Sequence, residues 1–302
     1  MSTLFSYIFF PGFVFTALLG IIASGIDRKV TARIQWRQGP PLLQPLYDFI
    51  KLLGKETLVP AGASRLTFLI TPVFGLAAVS IVSTILWGAL INPKESFVGD
   101  FIVVLYLLAI PSLSIIIGGF ASRNRIASLG ASREMKFILS YELPFIMVLL
   151  IPVIQTGNIR LGDIVTAQMS SGLSVGTVSG FIALLAGILC IQAKLGLVPF
   201  DASEAEQEIV AGPFIEYSGT PLAIFKLTKW MMLVTLPLFL VVMYMPSSNP
   251  VHIAIRYIII LVLTILIRNT NPRLRIDQVM RFFWTKVAFV SLIAVILALL
   301  KL

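Results

Sequence analysis

Carboxylates crowd one short segment of a chain that is otherwise basic and apolar. Asp201, Glu204, Glu206 and Glu208 stand within eight residues, and Glu216 follows in the same stretch, residues 200–221, here called the acidic segment. If 201–210 were helical, Asp201, Glu204 and Glu208 would share one face, where like charges repel. Such a cluster either takes up protons or faces an external cation. We therefore predict proton handling here, the alternative being a solvated loop.

The surroundings of these acids favour a packed position for the acidic segment. Apolar residues at 209–211 and 213–215 interleave the acids, and they would draw the segment against the membrane or a partner. The nearest cations along the chain are Lys194, Lys226 and Lys229.

A further carboxylate stands inside an apolar run. Glu142 lies about five residues into a predicted span, which at 1.5 Å per residue is roughly 8 Å from the start of that span. An acid inside a membrane is a functional hypothesis by default, and the alternative is a snorkelling or structurally paired carboxylate. Together these acids predict a proton path into the membrane, formed by Glu142, Asp201, Glu204, Glu206, Glu208 and Glu216.

The elements that must hold these residues are membrane spans. Of the 302 residues, 58% are hydrophobic and only 12% are charged, whereas soluble domains carry roughly 25% charged residues. Runs of about 20 apolar residues can cross a bilayer as helices. We predict an all-α polytopic membrane protein with about eight such helices, at residues 4–26, 66–91, 101–120, 137–154, 180–199, 222–245, 251–267 and 283–300.

Charge predicts the orientation of the spans. The chain reads as a single integral membrane domain over 1–302, with basic loops at 27–65, 121–136 and 268–282 on the same side as the acidic segment. By the positive-inside rule this side is cytoplasmic and both termini face outward. The net charge of +9 then reflects topology and a docking surface, not nucleic-acid binding. Basic loops that only set orientation are the alternative to docking cations at Arg28, Arg33, Arg37, Arg123, Arg125, Arg273 and Arg275.

The first loop also carries an amphipathic pattern. Leu42, Leu46, Phe49, Ile50 and Leu53 follow at helical spacing after a proline-containing turn. We expect an interfacial helix lying in the membrane plane. It forms either a passive surface or a wall of a site at the cytoplasmic mouth.

The chain lacks the residues for a redox centre of its own. Cys190 is the single cysteine and His252 the single histidine. An iron-sulfur cluster or a structural zinc site needs several such ligands. We expect no metal or cofactor bound by this chain, so that any redox centre sits in a partner, and we expect no catalysis by this chain alone.

Several longer motifs stand in order from the first loop to the last span: Arg37-Gln38-Gly39-Pro40, Ser140-Tyr141-Glu142, Val198-Pro199-Phe200-Asp201, Glu204-Ala205-Glu206-Gln207-Glu208-Ile209-Val210-Ala211-Gly212, Glu216-Tyr217-Ser218-Gly219 and Pro272-Arg273-Leu274-Arg275-Ile276-Asp277-Gln278-Val279-Met280. Together they resemble the H subunit of respiratory complex I (NADH dehydrogenase subunit 1) and its membrane-bound hydrogenase relatives. The form of the acidic motif is more similar to the energy-converting group 4 hydrogenases and sulfane reductases than to quinone-reducing complex I.

The resemblance implies a subunit that anchors a cytoplasmic redox arm and couples ferredoxin-dependent electron transfer to proton or sodium movement. Its implied partners are a hydrogenase-like large subunit, an iron-sulfur subunit and antiporter-like membrane subunits, with the iron-sulfur clusters and the nickel-iron centre in those partners. A quinone-chamber subunit of a donor:quinone oxidoreductase is the alternative within the family. A self-contained secondary transporter and a passive anchor remain as alternatives from other classes.

Overall fold

A computed structural model describes residues 3–301, except the side chains of Thr3, Leu4 and Glu206. Helices account for 77% of the chain, and within the described range no strand occurs. A bilayer leaves every backbone polar group to be satisfied inside its own segment, which a helix does. The predicted all-α membrane fold is confirmed.

The helices reproduce the predicted series of spans. Seven helical segments of the described chain are long and apolar enough to cross a membrane, and Val178–Lys194, with 17 residues, is a shorter apolar helix. In chain order the helices are α1 (Thr3–Ile8), α2 (Phe13–Ile34), α3 (Gln44–Leu53), α4 (Arg65–Ile91), α5 (Asp100–Leu107), α6 (Ile110–Ala121), α7 (Arg125–Thr156), α8 (Leu161–Ser171), α9 (Val178–Lys194), α10 (Glu206–Ile209), α11 (Gly219–Tyr244), α12 (Pro250–Thr270), α13 (Ile276–Arg281) and α14 (Ala288–Leu299), the last two joined by a π-helical turn.

Several helix boundaries differ from the sequence prediction: α2 continues to Ile34, into the predicted loop 27–65, and the predicted span 101–120 is divided into α5 and α6. Two further differences bear on the site. The fifth span was predicted to reach Pro199, but α9 ends at Lys194, because Gly196 adopts a left-handed conformation and the N–H of Leu197 donates to the carbonyl of Gln192. Most of the predicted loop 121–136 is helical, since α7 begins at Arg125, where the side chain of Asn124 accepts a hydrogen bond from the Ile126 N–H. Helix α7 therefore carries its polar first turns directly into the span that holds Glu142.

Helix α11 is the centre of the bundle. Of its most apolar 18-residue stretch, 94% is buried inside the protein, against 28–50% for the other long spans. It contacts α2, α3, α4, α9 and α12. A helix that is apolar all round and surrounded by other helices fixes the positions of any side chains that it directs toward a site.

The predicted interfacial helix is present as α3, and its apolar residues divide between two faces. Leu46 and Phe49 pack against the core, whereas Tyr47, Ile50 and Leu53 are exposed. A salt bridge of 2.8 Å from Arg28 Nη1 to Asp48 Oδ2 ties α3 to α2. Partial burial disfavours the Asp48 carboxylate, but hydrogen bonds from Arg28 and Gln44 outweigh it and lower the pKa of Asp48.

Candidate functional site

The acidic segment does not form the helix that would have set its carboxylates against one another. Only Glu206–Ile209 is α-helical, followed by a 3-10 turn at Gly212–Phe214. The condition for a shared face of like charges, a helix over 201–210, is therefore not met. The side chain of Glu206 lies outside the described residues.

Each described carboxylate of the segment meets a donor from elsewhere in the chain. The distances are 3.0 Å from Arg273 Nε to Asp201 Oδ2 and 2.5 Å from Arg133 Nη1 to Glu208 Oε2. Lys229 of α11 pairs with Glu204. The amide of Asn124 donates to Glu216 Oε1 over 2.5 Å. The negative charges of Asp201, Glu204 and Glu208 are thus compensated by cations of the same chain. The sequence had suggested protons or an external cation instead.

The loop before α13 places Arg273 beside Asp201. The N–H of Leu274 donates to the carbonyl of Pro199 over 3.1 Å, so the two loops run side by side. Burial raises the pKa of the Asp201 carboxyl, although the charge of Arg273 opposes the shift. This carboxyl therefore holds a proton more readily than an exposed aspartate does.

Glu142 is paired inside the bundle with a lysine. Lys194 Nζ donates to Glu142 Oε2 over 2.8 Å, and the lysine side chain is 0% exposed. The ammonium also lies 4.8 Å from the centroid of the Phe145 ring and 5.3 Å from that of Tyr141. A charge so completely withdrawn from water requires a counter-charge, which Glu142 supplies.

A small cavity lies between Lys194 of this pair and Glu204 of the acidic segment. This inner cavity, of about 20 Å³, is lined by Lys194, Glu134, Glu204 and Lys229 together with Ser112 and apolar neighbours. Its volume suffices for one water molecule. Glu134 is itself buried, with the hydroxyls of Ser203 and Ser112 as hydrogen-bond partners. Acidic and basic groups thus alternate between Glu142 and Glu204.

A larger cavity opens next to the inner one. This mouth cavity, of about 310 Å³, shares Glu204 and Lys229 with the inner cavity and adds Asp27, Asp201, Arg268 and Arg273 among its lining residues. Arg268 Nη1 lies 2.5 Å from Asp27 Oδ2. In the described part of the chain, the second carboxylate oxygens of Asp27 and Asp201 are buried without a hydrogen-bond partner. Unpaired buried oxygens of this kind accept a proton, a water or a cation.

The candidate docking arginines divide into two groups. Arg28 and Arg273 are held in pairs with Asp48 and Asp201, so they complete the site itself. The others are exposed on the same side of the bundle as the acidic segment: Arg33, Arg37, Arg123, Arg125 and Arg275, of which Arg275 also pairs with the exposed Asp277 over 3.4 Å.

Several site residues have no role in the sequence prediction. Lys194 and Lys229 are noted there only as nearby cations, and Asp27, Glu134, Arg133 and Arg268 fall within predicted loops without a role of their own. A lysine inside a predicted apolar span, as Lys194 is in 180–199, is the one local signal, since such a residue is either snorkelling or paired. The other partners are separated from the acids by long stretches of chain.

The described residues contain no group of three or more His, Cys, Asp or Glu side chains able to hold a metal ion. The site is therefore built from carboxylates, ammonium groups and guanidinium groups. Such groups move or hold protons and stabilise charge.

The fold and this buried row of charges define a multi-pass helical membrane protein with a polar route at one end of its bundle. The NADH dehydrogenase family matches residues 7–299, and the chain belongs to that family. The chain is 32% identical to the H subunit of the NADH-quinone oxidoreductase of Anoxybacillus flavithermus (strain DSM 21510 / WK1), over 94% of this chain and 90% of the relative. The corresponding protein of Bacillus cytotoxicus is also 32% identical, with 94% and 91% covered.

A solved structure with the same fold is the membrane-bound sulfane sulfur reductase, an archaeal respiratory membrane complex. One of its chains superposes with a TM-score of 0.86 at 27% identity, covering 95% of this chain and 96% of that chain. These relatives place the chain among the membrane subunits of respiratory complexes, in agreement with the resemblance seen in its motifs.

Proposed function

We propose that this chain anchors a peripheral electron-transfer arm and couples its turnover to ion movement through the membrane. The observation that carries the proposal is the contiguous row of charged residues that runs from the mouth cavity through the inner cavity to Glu142. Carboxylates and lysines that line two adjoining cavities and end in a buried ion pair are suited to a proton relay.

The coupling follows from electrostatics. An electron that arrives at a redox centre docked above the mouth adds negative charge, which raises the proton affinity of nearby carboxylates. A proton taken up there redistributes the pairs along the row, and that change biases the neighbouring ion-pumping subunits. The exposed arginines around the mouth hold the docked arm, and both chain termini lie on the outer side.

The partners in this proposal are those of the group 4 hydrogenases and sulfane reductases, which the acidic motif resembles more than it does quinone-reducing complex I. They are a hydrogenase-like large subunit, an iron-sulfur subunit and antiporter-like membrane subunits, with the iron-sulfur clusters and the nickel-iron centre in the peripheral arm. The similarity to a chain of the sulfane sulfur reductase complex supports this assignment.

A second candidate is a quinone-chamber subunit, which the names of the bacterial relatives favour. The mouth cavity would then be part of the chamber wall. Solvent extraction of quinone from the purified complex, together with an activity assay, distinguishes the two candidates. Only a quinone-chamber subunit predicts a stoichiometric amount of bound quinone and turnover that depends on quinone.

Glu142→Gln tests the coupling role. We expect the variant complex, reconstituted in liposomes, to retain most of its electron transfer while gradient formation falls at least about tenfold, because the row loses its ionisable group inside the bundle. Dye-detected ion uptake and electron transfer are measured on the same vesicles.

The matched control is Glu95→Gln, which removes an exposed carboxylate at the opposite end of the bundle and should leave both rates unchanged. Full gradient formation by Glu142→Gln would remove Glu142 from the path and refute the proposal.

A further inference from the structure

A third cavity lies beside the mouth and is strongly basic. This arginine cavity, of about 230 Å³, is lined by Arg28, Arg37 and Arg268 together with Thr31 and the turn Gln38-Gly39-Pro40. None of its described lining residues is acidic. Three guanidinium groups around one space repel one another, and the salt bridges to Asp48 and Asp27 offset only the charges of Arg28 and Arg268.

The three guanidinium groups retain donors for an anion. A guanidinium carries five N–H donors. Arg28 directs Nη1 at Asp48 and Arg268 directs Nη1 at Asp27, and both aspartates stand outside the cavity lining. Within the described chain the guanidinium of Arg37 has no hydrogen-bond or salt-bridge partner. Arg37 therefore gives the cavity one unpaired positive charge, and all three guanidinium groups retain unused donors.

The arginine cavity lies at the level where the apolar part of the bundle ends. Arg268 directly follows the apolar run of α12 and lies in its last turn. The neighbouring helix α3 exposes Tyr47 and Ile50, and Trp36 at the end of α2 is 98% exposed. Exposed aromatic and aliphatic side chains beside cations are typical of the headgroup region of a bilayer.

We propose that the arginine cavity binds a phosphate group, supplied by the headgroup of an anionic phospholipid. The planar fork of arginine matches the geometry of phosphate oxygens, and phospholipid phosphates are permanently present at this level of the membrane. The site goes beyond the proposed function, because it needs neither electron transfer nor ion movement. Of the arginines proposed for docking, Arg28 and Arg37 would then bind lipid, and the remaining exposed arginines would hold the arm.

Lipid titration of the purified full chain in detergent tests the site, with binding of phosphatidylglycerol and phosphatidylcholine followed by native mass spectrometry. We expect one phosphatidylglycerol to bind in preference to phosphatidylcholine, and Arg37→Gln to weaken that binding about fivefold or more. Arg37→Lys should bind with intermediate strength, since lysine keeps the charge and loses the fork. The control is Arg281→Gln, which removes an exposed arginine outside the cavity and should bind like the wild type.

Three results would overturn the proposal. Equal affinities of the wild type and Arg37→Gln would show that the cavity does not bind the lipid. Saturation by millimolar inorganic phosphate, without any preference for phosphatidylglycerol, would make the ligand a free ion. Absence of the lipid from the assembled complex, when the isolated chain binds it, would assign the arginines to an acidic group of a partner. None of these results bears on the Glu142→Gln experiment.

Discussion

At the scale of single residues, the pair of Lys194 and Glu142 is the most consequential contact in the site. The ammonium is withdrawn from water, and Glu142 provides its salt-bridge partner. Removing one partner of a buried ion pair leaves the other charge uncompensated, which costs more than the pair itself contributes. The same contact therefore supports the fold and occupies the inner end of the proposed path.

Lys194→Met should lower the free energy of unfolding by about 3 kcal/mol, because Glu142 loses its counter-charge. The double variant Lys194→Met/Glu142→Gln should recover most of this loss, since neither side chain is then charged. Thermal unfolding of the detergent-solubilised chain measures both changes. Lys136→Met, which removes an exposed lysine from α7, is the control, and a stability of Lys194→Met equal to that control would contradict the pairing.

At the scale of elements, the acidic segment is held in place by α7. Arg133 donates to the carbonyl of Ala202 over 3.1 Å and also binds Glu208. One turn earlier, Gly130 allows the 3-10 turn at Gly212–Phe214 to lie against the helix backbone. The acidic segment is therefore packed against the bundle, and its carboxylates keep fixed positions relative to α9 and α11.

Gly130→Ala should displace this turn from α7. The added Cβ would lie 2.6 Å from Pro213 Cδ and 2.8 Å from Pro213 N, so backbone must move. Overpacking of this kind costs about 1–3 kcal/mol, and we expect a lower unfolding midpoint with faster proteolysis in the segment. Gly88→Ala in α4 meets no atom within 4 Å and should be neutral or stabilising. Equal unfolding midpoints and equal proteolysis of the two variants would show that the acidic segment does not pack against α7 at Gly130.

The positions of the helices were predicted from the sequence, but the ends of α7 and α9 were not. The apolar runs predicted every span because lipid exposure demands continuous apolar helix. They did not predict that α7 continues as polar helix back to Arg125, since burial of those turns depends on the acidic segment that packs on them. The C-terminus of α9 was likewise displaced by the conformation of a single glycine, Gly196.

At the scale of the whole molecule, α11 is a buried centre and the surrounding helices expose apolar faces to lipid or to partners. The mouth, inner and arginine cavities, the acidic segment and most arginines lie at one end of this bundle. The two sides of the membrane therefore meet very different surfaces, and the orientation of the chain decides which compartment the site faces.

Thiol labelling in membranes should reveal that orientation. Cys190 is buried and should not react with the label, so labelling of a single introduced cysteine reports the side of the membrane on which that residue lies. We expect Lys94→Cys to react with an impermeant maleimide in intact cells, and Asp277→Cys to react only in inverted vesicles, because the basic ends of the spans stay in the cytoplasm. The parent chain without an added cysteine is the control. The reverse labelling pattern would place the acidic segment outside and exclude a cytoplasmic redox arm.

The sequence by itself determined the eight apolar segments, the basic ends, the interfacial helix and the presence of acids at one mouth, because composition and helical periodicity are local properties. Only the tertiary structure decided that Asp201 meets Arg273, that Glu204 meets Lys229 and that Glu142 meets Lys194. These partners lie on different helices and loops, and charge complementarity acts only after the apolar faces have packed. For that reason a predicted cluster of acids became a row of alternating charges.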